Sequence, residues 1–198
     1  MAGEPLQLVA GLGNPGAEYA RTRHNAGFWL VEELARRCGA VLRFEPRHHA
    51  EIARARIGAA DVWLVKPLTY MNESGAALES VAHFYKIAPE EILVACDELD
   101  FPPGTARLKL GGGAAGHNGI RDIAAHLGES FWRLRIGIGR PDARHRGVDH
   151  VLSRPSPAEE DLIRETIGAG ADAIAVMLDE GAQVAMNRLH SRDAARDH

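Results

Sequence analysis

The sequence predicts an α/β protein: a single-domain, three-layer α/β/α sandwich around a mixed, mostly parallel twisted sheet. Short apolar runs, "LQLVAGL", "DVWLVKP", "ILVAC" and "WRLRIGIG", alternate with stretches whose apolar residues recur at helical spacing. That alternation is what strands joined by crossover helices produce. The length, 198 residues, suits one core. Apolar residues at 45% and charged residues at 25% are ordinary globular usage. We expect one domain over 1–190 and a polar C-terminal tail over 191–198.

Each element has its own signal. Leu6–Leu12 is a short apolar run ended by glycine, as in a buried strand. In "FWLVEELARRCGA", Phe28, Val31, Leu34, Ala35 and Cys38 share a helical stripe, with Asn25 as a candidate cap and Gly39 as the stop. "AEIARARI" alternates and "DVWLVKP" ends at Pro67, so the two read as adjacent strands. Leu78, Val81, Ala82 and Tyr85 form the next stripe, capped by Asn72 or Ser74 and closed before Pro89. "ILVAC" is a buried strand. After the "FPPG" turn and the glycine-rich "KLGGGAAG", "HNGIRDIAAHLG" gives a short helix and "WRLRIGIG" another strand. The C-terminal part is helical, opening on a capping box of Ser156 and Glu159 with Pro157 between them. There is no internal repeat.

Composition narrows the class. No apolar run approaches the roughly 18–20 residues of a membrane span, and the first residues lack a basic segment followed by a long apolar one. A soluble, cytoplasmic, monomeric protein is expected. Cys38 and Cys96 suit buried thiols in a reducing compartment better than a disulfide. The net charge of -4 argues against a general nucleic-acid binder. Residues 101–150 depart from this balance: Arg107, Lys109, Arg121, Arg133, Arg135, Arg140, Arg144 and Arg146 face only Asp122, Glu129, Asp142 and Asp149.

Gly11, Gly13 and Gly16 match the G-x-G-x-x-G of dinucleotide-binding folds. The mechanism of that motif needs a helix N-terminus directly after the third glycine. Here Tyr19 to His24 intervene and Pro15 removes an amide donor, so the glycines read as a turn and the cofactor reading is disfavoured. A hydrolytic reading uses the same residues better. Asn14, Asn72 and Asp97 each follow a strand-like run, and in an open α/β sheet such positions gather beyond the strands' carboxyl ends. His24 would sit just before a helix, whose positive end keeps imidazole neutral. A carboxylate such as Asp97 pulls the other way while fixing the tautomer. Taken singly, these residues also read as helix caps, a packing histidine and a turn aspartate.

The motifs "GLGNPGAEYARTRHNAGF", "KPLTYMNESG", "DELDFPPG", "KLGGGAAGHNGIRDI", "RLRIGIGRP" and "NRLH" together resemble those of the bacterial peptidyl-tRNA hydrolase family, in order and over nearly the whole chain. The resemblance implies hydrolysis of the ester between a peptide and the 3′-terminal ribose of tRNA, without cofactor or metal. By motif position His24 is the implied base, Asp97 its supporting carboxylate, and Asn14 the residue that selects blocked over free aminoacyl groups. Tyr19, Tyr70, Asn72 and Asn118 are implied substrate contacts, and Lys109 with Arg135 the pair that holds the tRNA 5′-phosphate in the acceptor stem. The loop 111–116 reads as a flexible lid or a connector tolerant of positive φ.

Three places depart from the family pattern. Ala114 and Ala115 stand where glycine or histidine is common, Cys96 replaces a bulkier residue before the aspartate, and "EPRHHAE" is unusual. His48 and His49 have no third ligand at a recognisable spacing and are expected to be exposed rather than metal-bound. The main alternative is a non-catalytic RNA- or partner-binding module on the same scaffold, against which the intact Asn14, His24, Asn72 and Asp97 speak.

Overall fold

The computed structural model describes residues 5–144 and 146–196. Seven strands form one sheet: β1 (Leu8–Gly11), β2 (Arg43–Glu45), β3 (Ala50–Ile57), β4 (Ala60–Pro67), β5 (Ile92–Glu98), β6 (Ala106–Leu110) and β7 (Trp132–Gly137). Their order is β2-β3-β4-β1-β5-β7-β6. The central pairs β1/β4, β1/β5 and β5/β7 are parallel, and the outer pairs β2/β3, β3/β4 and β6/β7 antiparallel. The parallel centre is what the uninterrupted apolar runs require, because those strands are covered on both faces.

Helices α1 (Ala26–Cys38), α2 (Ser74–Tyr85), α3 (Asn118–Leu127), α4 (Gly147–Val151), α5 (Pro157–Glu180) and α6 (Ala182–Ala194) complete the layers. On one face Trp29, Leu30, Leu34, Ile167 and Ile174 of α1 and α5 pack with Val9, Leu93 and Leu134. On the other, Leu78 and Val81 of α2 and Ile120 and Ile123 of α3 pack with Leu8, Val94 and Phe131. Each such fully buried side chain stabilises the fold by about 1.5–3 kcal/mol before entropic costs. None of the helices among the described residues is long and apolar enough to cross a membrane.

The "GLGNPG" glycines do work other than holding a dinucleotide. A Cβ on Gly27 would run into the carbonyl of Ala95 and the backbone of Leu12, and one on Gly11 would strike the Gly27 carbonyl. Two facing glycines thus let α1 touch the ends of β1 and β5 backbone to backbone. Gly27→Ala should cost about 3 kcal/mol by overpacking, read as a melting temperature lower by roughly 6–12 °C.

Several local expectations are corrected. β2 and β6 have no sequence counterpart above, and Asp97 lies inside β5 rather than after it. Asn25 precedes α1 without a side-chain cap bond, because its amide bonds the backbone of Asn14 instead. Glu73, not Asn72 or Ser74, holds the position before α2, again without a side-chain cap. His48 is buried, bonded through Nδ1 to Ser80 Oγ at 2.7 Å and packed on Phe84 and Tyr85, while His49 is exposed. Residues 191–194 form the last turn of α6. Asp193 there is buried, accepting from the Ala106 amide at 2.9 Å and from Arg107, and His190 Nε2 accepts from the Leu108 amide at 3.1 Å. The capping box of Ser156 and Glu159 is present as read.

Candidate active site

The site lies at the carboxyl ends of β1 and β5, where α1 and α3 begin. His24 stands on a single 3₁₀ turn, Arg23–Asn25, leading into α1. That turn is pinned from outside: the Arg23 amide donates to the Ser153 carbonyl at 3.1 Å, and the buried Arg23 guanidinium reaches Ser153 and Glu159. Asp97, near the end of β5, is buried. His24 Nδ1 lies 2.9 Å from both Asp97 oxygens. A second imidazole completes the cluster: His117 Nε2 is 2.9 Å from Asp97 Oδ1, and the two rings are 5.2 Å apart.

The hydrogen bonds fix the tautomers. His117 Nδ1 accepts from the Ile120 amide at 3.3 Å, as the cap of α3, so its proton must sit on Nε2, facing Asp97. An ionised Asp97 likewise requires the His24 proton on Nδ1, which leaves Nε2 as a lone-pair acceptor. Burial alone would raise the Asp97 pKa, yet the charges and N–H groups of His24 and His117 outweigh it and hold the carboxyl far below its usual range. For His24, burial pulls downward, and the charge and hydrogen bond of Asp97 together overcome it, so the net shift is upward from 6.5. The expected neutralising influence of the helix end does not prevail against a carboxylate 2.9 Å away.

His24, Asp97 and His117 are also the described residues grouped closely enough to hold a cation, with candidate ligand atoms within 4.8 Å of one another. In the arrangement present, both imidazole nitrogens facing Asp97 carry protons, whereas a metal ligand must be deprotonated. The donor set fits a hydrogen-bonded triad better than a metal site.

A cavity of roughly 260 Å³ opens over the cluster, walled by Leu99, Asn118, Val148 and Val151. Asn14 is buried, bonded to Asn25 next to His24, and lines a neighbouring cavity of roughly 300 Å³ with Phe28 and Lys66. Its Oδ1 accepts from the Met71 amide at 2.8 Å, which orients the side-chain amide and leaves Nδ2 as its remaining donor. Residues 8–197 match the family model for peptidyl-tRNA hydrolase. The chain belongs to the peptidyl-tRNA hydrolase family. It is 51% identical over 195 residues to the peptidyl-tRNA hydrolase of Cupriavidus pinatubonensis, covering 94% of this chain and 98% of the relative. The Cupriavidus necator protein of the same name is 49% identical, with the same coverage. The fold is similar to the crystal structure of peptidyl-tRNA hydrolase from Acinetobacter baumannii at a TM-score of 0.90, 47% identical, covering 93% of this chain and 94% of that one.

For a peptidyl-tRNA hydrolase scaffold, the residues singled out by sequence are distributed as follows. His24, Asp97 and Asn118 share one cavity. Asn72 is exposed on the 3₁₀ turn Met71–Glu73, Tyr70 beside it is 59% exposed, and Tyr19 is half-buried. Lys109 and Arg135 line a third cavity, where Arg135 Nε donates to Glu98 at 3.0 Å. His117 was not singled out, although its position directly before Asn118, at the end of the glycine loop, was a usable signal. In that loop Ala115 takes a φ of 48°, the left-handed region that favours glycine.

Proposed function

We propose that this chain hydrolyses the ester joining a peptide, or an N-blocked aminoacyl group, to the 3′-terminal ribose of tRNA, with His24 as the general base on water. The observation that carries this reading is the 2.9 Å contact of His24 Nδ1 with a buried Asp97 beneath an open cavity. With Nδ1–H committed to the carboxylate, Nε2 takes a proton from a water whose oxygen bonds to the acyl carbon. Asp97 stabilises the imidazolium so formed. The proton then passes to the departing ribose oxygen as the ester bond breaks, giving a free carboxylic acid and tRNA. A positioned base contributes roughly 10²–10⁴ in rate, and an ester needs no covalent nucleophile beyond this.

The remaining residues position the substrate. Asn14 Nδ2 is the donor for the acyl carbonyl as it becomes an oxyanion, while Asn118 and Asn72 hold ribose and peptide groups without adding charge. Tyr70, with its ring largely exposed, and Tyr19 offer stacking faces to the terminal nucleotide. Lys109 and Arg135 meet a phosphate of the acceptor stem. Because Arg135 is already paired with Glu98, Lys109→Ala should weaken tRNA binding more than Arg135→Ala. Each should flatten the salt dependence of binding by about one unit of slope, measured by titration at several ionic strengths.

Turnover of a synthetic N-blocked aminoacyl-tRNA tests the whole reading. Release of free tRNA and acid under multiple turnover supports it, whereas retention of intact substrate marks a binding module.

A further inference from the structure

The cavity that holds Lys109 and Arg135 measures roughly 310 Å³ and lies beside His117, under the glycine loop. Register pairs Lys109 with Arg133 and Arg107 with Arg135 across β6 and β7, so four cations crowd one edge of the sheet. Arg107 is taken by Asp193 and Arg135 by Glu98. The Lys109 ammonium lies over Gly112, whose missing Cβ makes the room. Arg133 differs from all of these. It is only 4% exposed, its guanidinium sits 4.6 Å over the Phe131 ring, and its single hydrogen bond runs from Nη1 to the Gly113 carbonyl at 2.5 Å. Its Nε and Nη2 are buried and have no partner.

Those two nitrogens form the side edge of the guanidinium, the pair of parallel N–H groups that grips two oxygens of a phosphate or carboxylate. Burying an arginine without a counter-ion is costly, and two unmade charged hydrogen bonds add to that cost. Of the groups around it, Lys109 and Arg135 repel it, Glu98 is taken by Arg135, Glu129 is an exposed carboxylate that hydrogen-bonds neither of the two free nitrogens, and Cys96, Phe131 and Ile120 carry no charge. The one wall it bonds is the loop 111–116, whose C-terminal end delivers His117 and Asn118 to the catalytic cavity.

We infer that Arg133 is a positioning residue that receives a phosphate group through its Nε/Nη2 edge. By exchanging or shifting its bond to Gly113, it couples phosphate occupancy to the placement of His117. The inference rests on the tRNA-ester reading above and deepens it, because the phosphate is one carried by the RNA. Lys109 and Arg135 supply the surrounding charge, and Arg133 supplies the geometry and the link to the loop.

The test uses the full chain with inorganic phosphate as the probe. In ¹⁵N-arginine-labelled wild-type protein, one sheltered Nε–H resonance should shift saturably with phosphate, and saturating tRNA should abolish that response. A shift that persists unchanged under saturating tRNA, or no shift at all, overturns the inference. In Arg133→Gln the phosphate-induced rise in melting temperature should vanish, and KM for the N-blocked aminoacyl-tRNA should rise at least tenfold, with kcat also reduced. Arg133→Lys should restore only part, since it returns the charge without the fork. A merely structural arginine would lower the basal melting temperature while leaving the phosphate response and KM within twofold of wild type. The phosphate response does not depend on ester turnover, so its failure is distinct from a failure of the hydrolase reading.

Discussion

His24→Ala is expected to lower kcat on N-blocked aminoacyl-tRNA by a factor of about 10²–10⁴ while changing the tRNA dissociation constant by less than a few fold. The variant removes the only imidazole whose free nitrogen is left unbonded within the Asp97 cluster, since His117 spends Nδ1 on the Ile120 amide. It should still fold. Asp97 keeps the His117 N–H at 2.9 Å, so its buried charge is not left without a partner. Single-turnover kinetics together with equilibrium tRNA binding check both halves. A variant that keeps most of its turnover would remove His24 from the chemistry.

Asp97→Asn should be nearly as damaging, and its signature is a displaced pH profile. In the wild type the base form of His24 is lost as pH falls through a pKa raised above 6.5, so kcat/KM should climb with pH and level off above that point. Removing the carboxylate charge leaves burial as the dominant influence, and burial lowers an imidazole pKa. The inflection of the residual activity should therefore move to lower pH. The amide also permits the wrong tautomer, with the His24 proton on Nε2 and its lone pair turned inward. A loss of about 10²–10⁴ is expected even on the alkaline plateau. An unchanged inflection in a folded variant would mean that Asp97 does not set the ionisation of His24.

How much of this was legible in the sequence follows from the range of each interaction. The buried strands and long helices were readable because period and burial are written in consecutive residues, as at Ile92–Ala95 or along α5. β2 and β6 were not, since each owes its existence to a neighbour in the sheet, and "RFE" carries no alternating pattern of its own. The pairing of His24 with Asp97 spans 73 positions and was expected only from the strand-end rule and the family motifs. His117 escaped because its contact with Asp97 joins residues 20 positions apart, and its place at the end of the glycine loop was the one local hint of it. The histidine at position 48 was misjudged for the same reason: the serine and aromatics that bury it belong to α2.

The contacts of α6 with β6 have a consequence for self-association. Two of the outward amides of that marginal strand, at Ala106 and Leu108, already donate to Asp193 and His190. A neighbouring molecule therefore finds much of the ladder there already taken, which disfavours adding a strand at this border. The opposite border has only the three-residue β2, with charged Arg43 and Glu45, too short to act as a template. Shortening the chain ahead of His190 should uncover the first border and raise the tendency of copies to associate, read by light scattering.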